Sequence, residues 1–205
     1  MDSKSHWSTI YQTKEATNVS WHQERPQLSL DFIQRTGIDV SAKIIDVGAG
    51  ASTLVDHLLA LGYRDVALLD ISEEALQVAR RRIGEARAAQ VTWIAGDIAE
   101  VALEKHAYDL WHDRAVFHFL TDLTLRQRYI EQVRYALKPG GHIIMATFAA
   151  DGPTQCSGLD VMRYDPASLH SVFGADFKLI NSAGETHVTP WGSEQKFTYC
   201  YCRVK

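Results

Sequence analysis

The stretch Lys43-Ile44-Ile45-Asp46-Val47-Gly48-Ala49-Gly50-Ala51-Ser52 constrains the fold of this chain more than any other. A short apolar run ends at an acidic residue, two spaced glycines follow, and a helical pattern of apolar residues begins. The next apolar run, Ala67-Leu68-Leu69, ends at a second carboxylate, Asp70. Apolar runs of this length, without polar alternation, suit strands buried on both faces. The glycines let the backbone turn sharply and approach a ligand, and the helix beyond offers free N–H groups. An α/β sheet prepares to hold an adenosine in this way.

The alternation continues along the chain. After the strand at 43–47, Leu54, Val55, Leu58, Leu59 and Leu61 recur at helical spacing, with Gly62 as a C-terminal cap. A second strand at 66–70 leads to a helix capped by Ser72, with Glu73 and Glu74 in its first turn and a buried stripe of Leu76, Ala79 and Ile83. A third strand at 91–94 ends before Gly96-Asp97, and a fourth at 108–111 ends at His112-Asp113. A helix over 124–137 follows. Leu137-Lys138-Pro139-Gly140-Gly141 reads as a type II turn, and 142–148 as the fifth strand. Asp165-Pro166 starts a helix reaching Gly174, and the chain closes with β segments at 176–187 and 195–204. The pattern predicts a doubly wound, mostly parallel sheet, with the closing hairpin supplying an antiparallel strand.

Composition narrows the function classes. At 205 residues, 46% hydrophobic and 22% charged, the chain is expected to form one domain with a sizeable core. A net charge of -4 argues against a surface that coats nucleic acid. Arg80-Arg81-Arg82 reads as a solvated helix face. The N-terminus, Met1 to His6, is polar and lacks an apolar signal core, and no segment is long and apolar enough for a bilayer. The three cysteines, Cys156, Cys200 and Cys202, are not spaced as a disulfide or zinc framework, so a reduced cytoplasmic setting without a metal is expected.

Details of the glycine loop choose between nucleotides. A dinucleotide fingerprint needs a third glycine at position 53, which is Thr53. A pyrophosphate gains nothing from Asp46 at the strand end, whereas a ligand carrying an ammonium and a sulfonium does. At this point the sequence resembles the class I S-adenosylmethionine-dependent methyltransferases. Asp46-Val47-Gly48-Ala49-Gly50-Ala51-Ser52 is similar to their first motif, with Ser52 in place of its last glycine. Asp70 matches the acid that binds the ribose, and Asp97, followed by Ile98, matches the residue that meets the adenine. Leu137 to Gly141 is similar to the family's turn before strand five. The resemblance implies a Rossmann-like, mostly parallel seven-stranded sheet with one antiparallel strand. It also implies S-adenosylmethionine as cofactor, bound by Asp46, Gly48, Ala49, Gly50, Asp70, Ile71, Asp97 and Ile98.

The acceptor side carries fewer signals. Trp111-His112-Asp113-Arg114 lies where such enzymes face the methyl group, and it lacks the N/D-P-P-Y/F sequence of amine methyltransferases acting on nucleic-acid bases or glutamine. Asp113-Arg114 resembles two subgroups, the thiopurine and thiol methyltransferases and the seven-strand protein-lysine methyltransferases. Trp7, Tyr11, Trp21 and His22 follow an N-terminal pattern of the lysine enzymes, in which this segment folds over the cofactor; small-molecule enzymes share a similar helix. Aromatic faces attract a sulfonium, so Trp7, Tyr11 and Trp21 are read either as cofactor contacts or as pins for the N-terminal helix.

Histidine titrates near neutrality, so His112 and His118 are the candidate bases, with Asp113 binding the cofactor or orienting the acceptor. The loop at 150–158, containing Cys156, and the hairpin carrying His187, Thr189 and Trp191 are expected to wall the acceptor pocket. The chain is thus expected to work as residues 1–40, a helical cap; 41–150, a cofactor-binding core; and 151–205, acceptor-side loops and hairpin. The expected activity is methyl transfer to a small molecule or a protein lysine, small molecule first, without nucleic-acid or membrane partners. A binding protein that kept the fold without turnover is the remaining alternative.

Overall fold

Ile44 and Ile45 are both fully buried, yet they belong to different hydrophobic cores. They are neighbours in strand β1 (Lys43–Val47), and successive side chains of a strand point to opposite faces. The computed structural model describes residues 3–205; Met1 and Asp2, part of the polar N-terminus, lie outside the described residues.

Two helices precede that strand, α1 (Ser3–Thr13) and α2 (Gln27–Arg35). After it come α3 (Leu54–Ala60), β2 (Asp65–Asp70), α4 (Glu73–Ile83), α5 (Glu85–Ala88), β3 (Val91–Ala95) and β4 (Tyr108–Arg114). A 3₁₀ turn at Phe117–Phe119 leads to α6 (Leu123–Ala136) and β5 (Leu137–Phe148). The remainder comprises β6 (Gln155–Cys156), β7 (Leu159–Asp160), α7 (Pro166–Phe173), β8 (Phe177–Val188) and β9 (Glu194–Val204). The main sheet has seven strands in the order β3-β2-β1-β4-β5-β9-β8. β9 runs antiparallel to both of its neighbours, and the other pairs are parallel.

One face of the sheet is covered by α2 to α5, which bury Leu30, Ile33, Leu54 and Leu76 against Ile44, Leu110 and Ile144. The other is covered by α6 and α7, through Tyr129, Val133, Leu169 and Phe173 against Ile45, Trp111 and Met145. Capping follows the sequence. Ser72 accepts from the Ala75 amide, and Asp165 forms a capping box with Ser168 ahead of Pro166. The helix α2 belongs to the core layer, so the segment lying over the sheet end is α1 with residues 14–26.

Two boundaries differ from the sequence expectation, each for a physical reason. β5 starts at Leu137, because Leu137 pairs with Tyr108 and His142 with Leu110; the expected turn is an irregularity inside the ladder, with Gly140 at φ +75. β4 runs on through Arg114 because β1 pairs with it as far as Asp113 and β5 as far as Arg114. His112 and Asp113 are therefore strand residues rather than loop residues, and they face opposite ways.

Candidate active site

The chain reverses its direction of travel across the sheet at β1, which lies between β2 and β4, and a crevice opens beyond the carboxyl ends of these strands. The glycine loop after β1 is closely packed. Gly48 has φ +65, and a Cβ there would lie 1.7 Å from Cγ2 of Val116. Gly50 has φ +52, and a Cβ there would lie 2.4 Å from the Tyr11 hydroxyl oxygen. Both positions demand glycine for their conformation as well as for space. Asp70, at the end of β2, accepts from the Gly50 amide at 2.8 Å and from the Ser72 amide at 2.8 Å. Burial pushes its carboxyl up to about 6.

An open cavity runs over this loop. Asp70, Ile71, Asp97 and Ile98 line one end, beyond β2 and β3. Trp7, Trp21, Phe119 and Cys156 line the other. A smaller cavity of about 550 Å³ shares Trp21, Gly48 and Arg114 and reaches Ala49, Asp46, His112 and His22. Tyr11 also lines the large cavity, whereas Gly50 lies behind it, holding Asp70 through its amide. The site residues read from the sequence are thus brought to one place, apart from three discussed next.

His112, Asp113 and His118 do not converge. His112 faces the α2 side, where its Nδ1 lies 2.7 Å from Oδ1 of Asp46 and its Nε2 2.9 Å from Oγ of Ser29. A carboxylate cannot donate, so Nδ1 carries the proton of the first bond, and the Ser29 hydroxyl satisfies Nε2 in either protonation state. Asp113 points the other way, fully buried, and accepts from the amides of Val116 and Phe117 and from the Tyr129 hydroxyl at 2.5 Å. His118 is fully buried between Phe119 and Phe148, and its Nδ1 accepts from the Phe148 amide. That bond leaves the proton on Nε2, and burial lowers the ring to about 3, so His118 is a neutral donor rather than a base. Neither Asp113 nor His118 is among the residues lining the two cavities.

Residues not singled out from sequence hold the site together. Arg114 donates to the Tyr199 hydroxyl (3.1 Å), the Trp21 carbonyl (3.3 Å) and Glu185 (3.1 Å), and lies 4.2 Å from the Phe197 ring centroid. The Tyr199 hydroxyl in turn lies 3.3 Å from Ser29. A buried polar chain therefore runs from Asp46 through His112, Ser29 and Tyr199 to Arg114. The closing hairpin does not wall the cavities as expected. His187 instead holds the Ser20 carbonyl at 2.7 Å and Glu185 accepts from Gln23, so the hairpin grips the cap segment, while Trp191 stays 57% exposed. The helix α1 is fixed to α4 by Ser8 and Gln12, both donating to Glu74. Among the described residues no cluster of side chains suits a metal ion, and no helix is long and apolar enough to cross a membrane.

Comparison with known proteins gives the same direction. Residues 38–187 match the family model described as a methyltransferase domain. The chain is 26% identical over 153 residues to the eEF1A lysine and N-terminal methyltransferase of Mus musculus, covering 72% of this chain and 22% of that protein. It is 30% identical over 126 residues to the malonyl-[acyl-carrier protein] O-methyltransferase of Halalkalibacterium halodurans, covering 60% of this chain and 45% of that one. The chain thus spans less than half the length of these curated relatives. A solved S-adenosylmethionine-dependent methyltransferase of Anabaena variabilis superposes with a TM-score of 0.76 at 15% identity, covering 100% of this chain and 96% of that one.

Proposed function

The chain belongs to the methyltransferase-domain family, and from that premise we propose that it is an S-adenosylmethionine-dependent enzyme whose acceptor is a small molecule held beneath the N-terminal cap. The observation that carries this reading is the lining of the larger cavity, where Trp7, Tyr11 and Trp21 of the cap stand over Gly48, Asp70 and Asp97.

The residues present fit the cofactor. S-adenosylmethionine, when bound, supplies a methyl group on a positively charged sulfur. Asp70 offers a buried carboxylate to the two ribose hydroxyls, and Ile71, Asp97 and Ile98 form the adenine end. Gly48, Ala49 and Gly50 allow close backbone approach, and Asp46 sets a carboxylate beneath the methionine end. Trp7, Tyr11 and Trp21 on the cap present aromatic faces to the cation, each such contact stabilising it by about 0.5–2 kcal/mol when desolvated. Methyl transfer is a single displacement, so the chain's contribution is alignment and exclusion of water. His112 acts as a positioning residue that fixes Asp46, and Asp113 as one that fixes the turn carrying Val116. His118 supplies no base.

Residues 1–40, 41–150 and 151–205 work as one domain on this reading. Free, buried cysteines support a reducing cytoplasm as its setting, and the net charge of -4 supports an acceptor other than nucleic acid. The second reading, a protein-lysine acceptor, is favoured by the similarity to the mouse lysine methyltransferase. Methyl-tritiated S-adenosylmethionine, incubated with the protein and a cell lysate, separates the two. Label in the small-molecule fraction supports the first reading, and label in the protein fraction the second.

A further inference from the structure

We propose that the acceptor is a neutral, planar heteroaromatic ring methylated on a ring nitrogen, a reading that rests on the methyl-transfer function above. The acceptor end of the large cavity is aromatic and apolar. Trp7 meets Trp21 at 5.7 Å and 80°, and Phe119 at 5.0 Å and 75°. Rings meeting edge to face make walls at right angles, so a flat ring lies on one face with its edge against the next. The rim is apolar too, since Leu125 lines the cavity and Leu123, at the same helix start, is 69% exposed.

The charges around this end favour a neutral acceptor over a charged one. An anionic acceptor, a carboxylate or thiolate, needs a cation to replace its water. The cation here is Arg114, and its Nε, Nη1 and Nη2 are all engaged, with Glu185 neutralising it at 3.1 Å. An ammonium acceptor such as lysine needs a base to free its lone pair. Among the described residues lining this end none serves. Cys156 is a thiol that burial keeps protonated. The carboxylates Asp70 and Asp97 follow β2 and β3, where the proposed reading commits them to the cofactor's ribose and adenine, and His118 holds its proton on the nitrogen that faces no acceptor. His22 lines the smaller cavity, over the glycine loop.

A neutral ring nitrogen needs neither group. Its lone pair forms the N–CH3 bond as the S–CH3 bond breaks, the electrons of that bond remain on sulfur, and the positive charge passes from sulfur to the ring. No proton moves. The charge passes from sulfur, across the transferred carbon, to the ring within an aromatic enclosure that stabilises a cation before and after the step.

Quinoline, isoquinoline and benzimidazole serve as neutral probes, with benzoate and a lysine-containing peptide as the charged ones. Calorimetric titration of the cofactor-free protein is expected to show binding of the neutral rings at least tenfold tighter than of the charged probes. Phe119→Ala and Trp7→Leu each weaken that binding several-fold. With S-adenosylmethionine added, mass spectrometry is expected to find N-methylated ring and S-adenosylhomocysteine in equal amounts. Methylation of benzoate or the peptide in preference to the rings overturns the proposal. So does the absence of ring binding and product in a protein that still binds S-adenosylhomocysteine. Failure to bind S-adenosylhomocysteine at all overturns the methyl-transfer reading itself.

Discussion

Nδ1 of His112 lies 2.7 Å from Oδ1 of Asp46, its register partner in the neighbouring strand β1. Both side chains are almost completely buried. A buried carboxylate is tolerated when its lone pairs are met, so His112 is what keeps an acid beneath the glycine loop. Removing it strands Asp46 and Ser29 together. His112→Ala is expected to lose about 2–4 kcal/mol of stability. For a chain of this size that is a fall in melting temperature of roughly 5–15 °C, read by calorimetry. The double variant with Asp46→Asn recovers part of the loss, because a neutral amide is less costly to leave without a partner. A variant that melts at the wild-type temperature contradicts this role.

Asp70 sets a pH dependence. Burial raises its carboxyl from 3.8 to about 6, outweighing the hydrogen bonds from Ser72 and Gly50 that lower it. The folded group therefore keeps its proton where the unfolded one has lost it, and stability of the ligand-free protein falls as pH rises from about 4 to about 6. In the proposed role Asp70 accepts from the ribose hydroxyls in its ionised form, so cofactor binding has the opposite sign and strengthens over that rise. S-adenosylhomocysteine is expected to bind about tenfold more weakly at pH 5 than at pH 7. Asp113 also titrates near 6, through burial, but it faces the α6 core. Asp113→Asn should thus keep the binding slope, and Asp70→Asn should abolish it.

Gly48→Ala meets two penalties, a left-handed backbone at φ +65 and a clash with Val116. Together they are expected to cost about 2–4 kcal/mol and to abolish cofactor binding. Adding Val116→Ala relieves the clash and leaves the backbone penalty, so recovery in chemical denaturation is partial. Full recovery, or no effect of the first change, would show that the loop conformation differs from the one described.

Glu74 latches the cap. Ser8 and Gln12 of α1 donate to its two carboxylate oxygens, and the Ser8 bond leads the causes that hold its carboxyl at about 2. Glu74→Ala removes both of its bonds to α1, each contributing about 0.5–1.5 kcal/mol, and shifts the cap toward opening by roughly 5- to 150-fold. The expected signs are faster proteolysis within residues 3–13, red-shifted Trp7 emission and a raised KM for the cofactor. Unchanged proteolysis would assign the docking of α1 to its aromatic residues instead.

What the sequence made legible was local. The glycine loop, Asp70, Asp97 with Ile98, and the helix caps at Ser72 and Asp165 are each announced by neighbours a few residues away. The cap aromatics Trp7, Tyr11 and Trp21 stand out in the sequence because a sulfonium attracts such faces, and all three line the larger cavity. Contacts between distant positions were hidden. Ser29 meets His112, and Arg114 meets Tyr199 and Glu185, across chain separations that carry no spacing signal. One signal was available for β4. Period-two alternation continued through Tyr108-Asp109-Leu110-Trp111-His112-Asp113-Arg114 puts Leu110, His112 and Arg114 on one face and Trp111 with Asp113 on the other. Ending that strand at Trp111 is what grouped His112 and Asp113 as loop residues free to face the same cavity.

The sulfonium-cofactor site is tested most directly by isothermal titration of the protein with S-adenosylhomocysteine and, separately, with NAD. One-to-one binding of S-adenosylhomocysteine, lost in Asp70→Ala while the variant stays folded by circular dichroism, and no heat from NAD, is the expected result. Saturable binding of NAD, or S-adenosylhomocysteine binding that survives Asp70→Ala unchanged, would contradict it.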